Sequence, residues 1–203
     1  MFERLRNVFG GGHDADFSKL IAPYETEEEF FASGERDVEM MLERAQARTR
    51  GEKNILLLGV GIGRLIPALS ERYGAVVALD RDRKNIAREK HGELENVTFD
   101  TFNGSSLSTF RDATFDHVCS YKLLDDYRGA RKACNLFGEA IRVTKPGGTT
   151  LFAVTDRSSD AGGAVGYGVT FDAGDLRTEV RRKQRRLESI RGDGGRVLLL
   201  RVT

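Results

Sequence analysis

The chain has 203 residues, with 32 Lys and Arg against 31 Asp and Glu, so its formal net charge is +1. This length suits one well-buried domain and is short for two. The balanced charge argues against a generally basic nucleic-acid-binding protein and against an acidic disordered one. The two cysteines form no close pair and the three histidines are scattered. We therefore expect no structural metal, no disulfide framework and a reducing compartment.

Residues 1–25 show little periodicity and include three consecutive glycines, which predicts a peripheral N-terminal arm followed by a single domain of residues 26–203. No run approaches the roughly 18 consecutive apolar residues of a membrane span, so we expect a cytoplasmic protein without a membrane partner. From Thr26, a capping-box relation to Glu29 and the spacing of the apolar residues predict a helix. We expect that helix to be broken or bent near Gly34.

A glycine-rich turn follows the first predicted strand. Residues 55–58 are a short apolar run without alternation, which is typical of a parallel strand buried on both faces. The chain then turns into an amphipathic helix through Gly59, Val60, Gly61 and Gly63. Because glycine has no Cβ and tolerates positive φ, the backbone here can approach a ligand closely. The turn therefore predicts a cofactor site. Arg64 stands where a dinucleotide fingerprint needs a small residue.

An acidic residue ends the second predicted strand, residues 75–79. Asp80 lies about twenty residues beyond Gly59, where a carboxylate can accept hydrogen bonds from both ribose hydroxyls. Asp80 is therefore predicted to bind the ribose of the cofactor. Its neighbour Arg81 is predicted to stack on an adenine, with a solvated arginine as the alternative. Residues 82–90 are predicted to form the next helix.

Two further strands are predicted over residues 96–99 and 114–120. Beyond the third strand lie Asn103 and Gly104, both predicted cofactor contacts. The Asn103 amide can accept from an adenine amino group and donate to a ring nitrogen. An Asn-Gly turn is the alternative. The fourth strand ends at Ser120, another predicted cofactor contact, because open α/β sheets bind ligands at the carboxyl ends of their strands.

A helix over residues 130–143 is predicted to lead into a fifth strand, residues 150–154. Between them lie Lys145, Pro146, Gly147 and Gly148. We expect the proline to stop the helix and the paired glycines to make a tight turn into the strand.

These motifs together resemble the class I S-adenosylmethionine-dependent methyltransferases. The resemblance rests on the Gly-x-Gly-x-Gly spacing, the acid after the second strand, Phe-Asp in the fourth strand and Arg-Val-x-Lys-Pro-Gly-Gly before the fifth. It covers residues 30–154. It implies a Rossmann-like α/β fold with a mostly parallel seven-stranded sheet, helices on both faces and an antiparallel last strand. It also implies S-adenosylmethionine as the cofactor.

The resemblance further implies that an N-terminal helical segment covers the cofactor pocket. The residues of that cover would be Phe30, Phe31, Ser33 and Gly34, although packing on the sheet would explain them equally. Two positions depart from the pattern of the family. Leu57 stands where an acid is usual, and Asn103 stands where an aspartate usually accepts from the adenine.

The C-terminal part lies beyond the resemblance. Residues 156–170 contain four glycines and are predicted to be a loop, either a lid over the acceptor or a segment without a role. Residues 171–186 are predicted to form a helix capped by Asp172. Residues 187–191 and 196–202 are predicted to be the last pair of strands.

Methyl transfer from a sulfonium needs mainly alignment of the nucleophile and exclusion of water. A base is required only if the acceptor must lose a proton, and the candidates by position are Tyr121, Asp125 and Asp126. The Asn-Pro-Pro-aromatic signature of methyltransferases that act on amino groups of nucleobases or glutamine is absent. A small molecule is therefore the predicted acceptor, while the oligomeric state stays open.

Two alternatives from other classes remain at this point. A NAD-dependent oxidoreductase would share the first glycines and Asp80, but it would not predict the Lys-Pro-Gly-Gly segment. A degenerate methyltransferase fold that only binds a partner would explain the departures at Leu57 and Asn103. That partner could be nucleic acid, bound through the basic run of residues 177–186, although a solvated helix face explains the run more simply.

Overall fold

The structure is a computed structural model, and it describes residues 24–49, 52–81, 86–127, 130–155, 166–167, 171–172, 178, 180, 186–192 and 197–202. The helices include α1 (Glu27–Arg44), α2 (Ile66–Arg72), α3 (Ile86–His91) and α4 (Ala130–Val143). The first five strands are β1 (Asn54–Leu58), β2 (Ala75–Asp80), β3 (Val97–Thr101), β4 (Phe115–Tyr121) and β5 (Thr144–Thr155). They are followed by β6 (Gly166–Tyr167), β7 (Phe171–Asp172), β8 (Leu187–Gly192) and β9 (Val197–Val202). A short 3₁₀ helix, Leu123–Asp126, follows β4.

Seven strands form one sheet in the order β3-β2-β1-β4-β5-β9-β8. The first five pair in parallel, whereas β9 runs antiparallel to both β5 and β8. The strand order reverses between β1 and β4, and ligands of such sheets bind at the carboxyl ends of the strands beside this reversal. The predicted mostly parallel sheet with an antiparallel last strand is confirmed.

The sheet is buried on both faces because apolar side chains of each strand alternate between two cores. Leu56 and Leu58 of β1 lie in the core that includes α4, through residues such as Phe137. Ile55 and Leu57 lie in the other core, with side chains of α1, α2 and α3. All four β1 side chains are at most 1% exposed. The uninterrupted apolar run therefore reflects burial on two faces, as the sequence predicted.

Helix α1 begins as predicted but is not broken. The Thr26 hydroxyl accepts the N–H of Glu29 at 3.1 Å, and the Glu29 carboxylate accepts the N–H of Glu25 at 3.1 Å. The helix then continues through Gly34 to Arg44. A Cβ at Gly34 would overlap the Arg64 carbonyl group, with its carbon 2.8 Å away. The predicted break was therefore wrong, because this glycine serves close packing of α1 on the turn after β1.

Strand β5 begins earlier than predicted, directly after α4. Thr144 pairs with Phe115 and Thr149 pairs with His117, so residues 145–148 form an irregularity within the ladder. The Lys145 ammonium donates to Asp116 Oδ2 at 3.0 Å inside this segment. A Cβ on Gly148 would overlap the Asp116 carbonyl oxygen. The Lys-Pro-Gly-Gly segment thus packs closely around Asp116 at the edge of β4 opposite the carboxyl ends.

Of the predictions for the C-terminal part, one is confirmed and one is wrong. The last pair of strands is confirmed as β8 and β9. The predicted helix cannot begin at residue 171, because Phe171 and Asp172 form β7 and pair with β6. Thr178 and Val180 are helical. The rest of the predicted loop and helix, residues 1–23 of the predicted arm and the start of the predicted helix over residues 82–90 lie outside the described residues.

Candidate functional site

The glycine turn connects β1 to α2 with three residues in left-handed backbone conformations. Gly59, Gly61 and Gly63 have φ values of +78°, +56° and +85°, which a residue with a Cβ rarely adopts. The Gly59 N–H donates to the Leu79 carbonyl at 2.9 Å, so the turn continues the pairing of β1 with β2. A Cβ at Gly61 would meet nothing within 4 Å. The backbone of Gly61 therefore faces open space.

Gly63 has a different environment from Gly61. A Cβ there would lie 2.7 Å from Ala87 Cβ and 2.7 Å from His91 Cδ2, both on α3. His91 is 8% exposed and its ring packs edge-on against Phe31 of α1. Gly63 thus permits close packing of α3 on the turn. It does not line the cavity described below, and its contact with a cofactor stays a prediction.

Asp80 joins the end of β2 to the glycine turn. Its Oδ2 accepts the N–H of Gly61 at 2.8 Å. Since β1 and β2 are adjacent parallel strands in register, their carboxyl ends bring these two residues together although they are 19 positions apart. The carboxylate and the open face of the turn therefore form one polar surface.

A cavity of about 530 Å³ lies over this surface, which is within the roughly 300–1,000 Å³ range of small-molecule sites. Its walls come from α1, the glycine turn, the end of β2 and the segment after β4. The lining residues are Phe30, Gly59, Val60, Gly61, Ile62, Arg64, Leu65, Asp80, Arg81, Tyr121, Lys122, Leu123 and Asp125.

Arg64 fastens α1 to the glycine turn. Its Nη1 lies 2.5 Å from Asp37 Oδ2 and donates to Ser33 Oγ at 2.9 Å. Its guanidinium also lies over two rings of the cavity wall, 4.7 Å from the Tyr121 centroid and 5.8 Å from that of Phe30. These contacts hold one wall of the cavity against its floor, so the predicted cover by the N-terminal helix has a physical basis in Phe30 and Ser33.

Tyr121, one of the predicted bases, is held in its protonated form. Burial raises the pKa of the Tyr121 phenol, and the neighbouring Asp37 carboxylate raises it further, while Arg64 acts in the opposite direction. A partly buried phenol beside a carboxylate is a poor proton acceptor at neutral pH.

The other two predicted bases lie on the 3₁₀ helix after β4. Asp125 lines the cavity. Its N–H donates to the Lys122 carbonyl at 3.1 Å, which closes the turn that carries it. Asp126 ends the same 3₁₀ helix, but its side chain lies outside the described residues. Among the candidates whose side chains are described, Asp125 is therefore the carboxylate that faces the cavity.

Comparisons with known proteins agree with this architecture. A sequence profile described as "Methyltransferase domain" matches residues 56–152, which carry the glycine turn, Asp80 and the segment after β4. The chain is 33% identical over 122 residues to chondramide synthase cmdD of Chondromyces crocatus. That match covers 55% of this chain but only 3% of the length of the synthase.

Solved structures show the same fold. A SAM dependent methyltransferase from Aquifex aeolicus superposes with a TM-score of 0.65 at 18% identity, covering 93% of this chain and 96% of that one. Magnesium protoporphyrin IX methyltransferase (ChlM) from Synechocystis, solved with bound SAM, gives 0.62 at 15% identity and covers 99% and 89%. Residues 56–152 thus match the methyltransferase-domain family, and the chain has the fold of these S-adenosylmethionine-dependent methyltransferases. This confirms the predicted family and, with it, the predicted cofactor.

In the methyltransferase domain, Asn103 forms the turn that was the alternative interpretation. Its amide oxygen accepts the N–H groups of Ser105 at 2.9 Å and Ser106 at 2.8 Å. Gly104 has φ +81°, and its carbonyl accepts the Tyr127 hydroxyl. Neither Asn103 nor Gly104 lines the cavity. Their contacts with the cofactor stay predictions.

The structure places two further predicted cofactor contacts in different surroundings. Arg81 lines the cavity, but its guanidinium lies 5.8 Å from the Tyr127 ring centroid, and a Cβ on Gly104 would lie 2.8 Å from its Cδ. Ser120 is fully buried between Leu58 and Phe152 in the sheet and does not line the cavity. Its hydroxyl has no hydrogen-bond partner among the described residues.

Sequence reasoning missed two residues of the wall, Ile62 and Leu65. Lys122 and Leu123 also line the cavity. They follow β4 directly, where the rule that ligands bind at the carboxyl ends of strands places a ligand. Leu123 packs so closely on the turn that a Cβ on Gly59 would lie 3.0 Å from Leu123 Cβ.

Two features are absent from the described residues. None of the helices in that part of the chain is both long and apolar enough to cross a membrane. The same residues contain no cluster of three or more His, Cys, Asp and Glu side chains suited to hold a metal ion.

Proposed function

We propose that this domain transfers the methyl group of S-adenosylmethionine to a small-molecule acceptor. The observation that carries the proposal is that Gly61 and Asp80, at the ends of β1 and β2, share one cavity with Asp125, which follows β4. A ligand in this cavity would therefore contact the backbone of Gly61 and two carboxylates. The Asp80 carboxylate would bind a ribose, and Asp125 supplies the second carboxylate.

The residues of the cavity fit the cofactor. Gly61 leaves open a space that any Cβ would begin to fill, so an adenosyl ligand could lie directly against the turn. Asp80 is placed at the strand end where an acid accepts from ribose hydroxyls in such folds. Its bond to the Gly61 N–H fixes the carboxylate relative to the turn.

When bound, S-adenosylmethionine supplies a methyl group on a positively charged sulfur that is already activated for displacement. The protein then has to align the acceptor and exclude water. Phe30 and Tyr121 provide apolar surface on the wall, and Arg64 holds them through its contacts with Asp37 and Ser33. The packing of α1 over the glycine turn would shield the reacting atoms from water.

Asp125 is the residue we propose to accept a proton where the acceptor must lose one. It lines the cavity beyond Tyr121, and the backbone of the 3₁₀ helix holds it. Tyr121 is better suited to donate a hydrogen bond or to form apolar surface, because burial and Asp37 raise the pKa of its phenol.

The size of the cavity favours a small acceptor. The basic run that could serve a nucleic-acid partner falls mostly outside the described residues. Arg186, at its end, lies 3.3 Å from Glu188 in an ion pair. The chain spans 3% of the length of chondramide synthase cmdD, so the proposal concerns this domain alone.

Calorimetry and thermal unfolding with S-adenosylmethionine, S-adenosylhomocysteine and NAD in parallel test the proposal. At about a hundred times its dissociation constant, a ligand should stabilise the fold by roughly 2.7 kcal/mol. We expect both adenosyl ligands to raise the melting temperature and NAD to have no effect. The proposal would be overturned if neither adenosyl ligand bound at millimolar concentration to protein that is folded and initially free of ligand.

A further inference from the structure

Lys122 has a backbone conformation that is unusual for a residue other than glycine. Its φ of +59° and ψ of +7° are left-handed, a region that L residues other than glycine seldom occupy. Its N–H donates to the Ala153 carbonyl at 2.7 Å and its carbonyl accepts the N–H of Asp125 at 3.1 Å. Both backbone groups are therefore fixed by neighbouring elements. Strained conformations that surrounding structure enforces concentrate at functional sites.

The conformation places the lysine in the wall of the cavity. Lys122 lines it, remains exposed to solvent, and has its ammonium 5.4 Å from the Tyr121 ring centroid. Within the described part of the chain, no carboxylate lies within ion-pair distance of this ammonium. An ammonium has three donors, so Lys122 can bind an acceptor atom without breaking an existing salt bridge.

The other cations of the cavity are engaged differently. Arg64 is paired with Asp37 at 2.5 Å and bonded to Ser33. Arg81 packs against Gly104 and lies over the Tyr127 ring. Both arginines therefore make contacts within the protein, whereas Lys122 lines the cavity and has no ion pair with a described carboxylate.

We propose that Lys122 binds an anionic group, in the simplest case a carboxylate, of a molecule held in this cavity; the proposal rests on the proposed function. Phe30 and Tyr121 would contact the apolar body that carries the anion. The preferred ligand is thus an organic acid with an aromatic or aliphatic body. The carboxylate can belong either to the acceptor or to the adenosyl ligand, whose amino-acid portion carries one.

Three variants test the inference. Lys122→Asn removes the charge, and Asn tolerates the left-handed backbone better than most residues, so the fold should be kept or slightly stabilised. Lys122→Arg keeps the charge and should retain binding. Lys132→Asn removes the charge of another exposed lysine, on α4, and serves as the matched control. Melting temperatures of all variants without ligand are measured first.

The first measurement is calorimetry with S-adenosylhomocysteine and with 5′-methylthioadenosine, which lacks the carboxylate. If Lys122 binds the adenosyl ligand, Lys122→Asn should weaken S-adenosylhomocysteine by about tenfold or more and leave methylthioadenosine unchanged, since hydrogen bonds to charged groups are worth at least that much.

The second measurement is titration of benzoate and of benzamide into free and S-adenosylhomocysteine-loaded protein. If Lys122 binds the acceptor, wild type should prefer benzoate, and Lys122→Asn should lose that preference while Lys122→Arg and Lys132→Asn keep it. Equal behaviour of wild type and Lys122→Asn with all four probes would overturn the inference. If wild type does not bind S-adenosylhomocysteine, the proposed function is overturned instead. The benzoate titration of free protein would still test whether Lys122 binds a carboxylate.

Discussion

Asp37 and Arg64 form an ion pair, with 2.5 Å between Oδ2 and Nη1, that connects the middle of α1 to the turn after β1. Both side chains are largely shielded from solvent, at 14% exposed for the arginine and 16% for the aspartate. A shielded pair with an additional hydrogen bond to Ser33 is less weakened by water and salt than a surface pair. The wall of the cavity and its glycine floor are therefore joined by charge as well as by packing.

A substitution at Gly34 tests the contact between α1 and the glycine turn sterically. Gly34→Ala would place a Cβ against the Arg64 carbonyl group, where backbone has little freedom to yield. We expect the variant to lose about 1–3 kcal/mol of stability and to bind S-adenosylhomocysteine more weakly. Thermal unfolding and calorimetry are the measurements.

Glu39→Ala on the exposed face of the same helix is the control and should leave both quantities within experimental error. If Gly34→Ala has the melting temperature of wild type and binds S-adenosylhomocysteine equally well, α1 can move away from the turn without loss of stability. That result would contradict the role of α1 as a fixed wall.

Asp80 gives the second prediction. Asp80→Ala should weaken binding of S-adenosylhomocysteine by roughly ten- to a hundredfold, because hydrogen bonds to a charged group are worth about 1.5–3 kcal/mol and water replaces part of that. The loss includes the bond to the Gly61 N–H, which helps to hold the turn. Calorimetry measures the affinity.

Asp100→Ala removes a carboxylate from the exposed side of neighbouring β3 and should bind the ligand like wild type. Unchanged affinity in Asp80→Ala, with wild type binding normally, would remove the ribose contact from the proposed site.

How far the sequence predicted the site depends on the range of the interactions involved. The glycine turn and Asp80 follow from local patterns, since a buried strand, three glycines and an acid after the next strand define their positions almost alone. The Arg64 contacts with Asp37 and Tyr121 join residues far apart in sequence. No spacing rule distinguishes such an arginine from a solvated one.

Two residues show what local patterns leave out. Gly34 suggested a break because glycine is a poor helix former, yet α1 is continuous and the missing Cβ serves contact with another element. Asn103 suggested an adenine contact by its chemistry, and in the structure its oxygen accepts two nearby N–H groups. In both cases the contact is with the folded backbone, which the residue type alone does not reveal.

Tyr121 provides a prediction about proton affinity. Because its pKa in the folded protein is raised above the ordinary value of 10.0, the phenol should remain protonated where an exposed tyrosine ionises. Absorbance titration of wild type and Tyr121→Phe, which lacks this phenol, should give the same tyrosinate signal up to the pH at which the fold is lost. Tyr121 contributes stability that is full below pH 10 and declines as pH rises beyond it.

Tyr121→Phe should therefore be less sensitive to alkaline unfolding than wild type, with Phe31→Leu on α1 as a control that changes an aromatic side chain without removing a phenol. A difference signal that titrates near pH 10 in folded protein would contradict the prediction. Tyr121 would then return as a candidate base beside Asp125.

The last prediction concerns acid stability and the two buried histidines. His117 in β4 packs edge-on against Tyr73, and its Nε2 lies 3.2 Å from the Arg48 carbonyl oxygen. His117 is therefore a packed structural residue. Burial lowers the pKa of both His117 and His91 below the ordinary value of 6.5.

A histidine whose pKa is depressed in the folded state takes up its proton more readily in the unfolded state. Its contribution to stability is therefore complete above about pH 6.5 and is lost as the pH falls toward and below the folded-state pKa. We expect the melting temperature to decrease between pH 7.5 and 5, and the decrease to be smaller in His91→Gln and His117→Gln. The lowered pKa of Asp116 acts at more acidic pH, below its ordinary value of 3.8, so it does not confuse this window. Identical slopes in wild type and both variants would mean that neither histidine is buried in its neutral form.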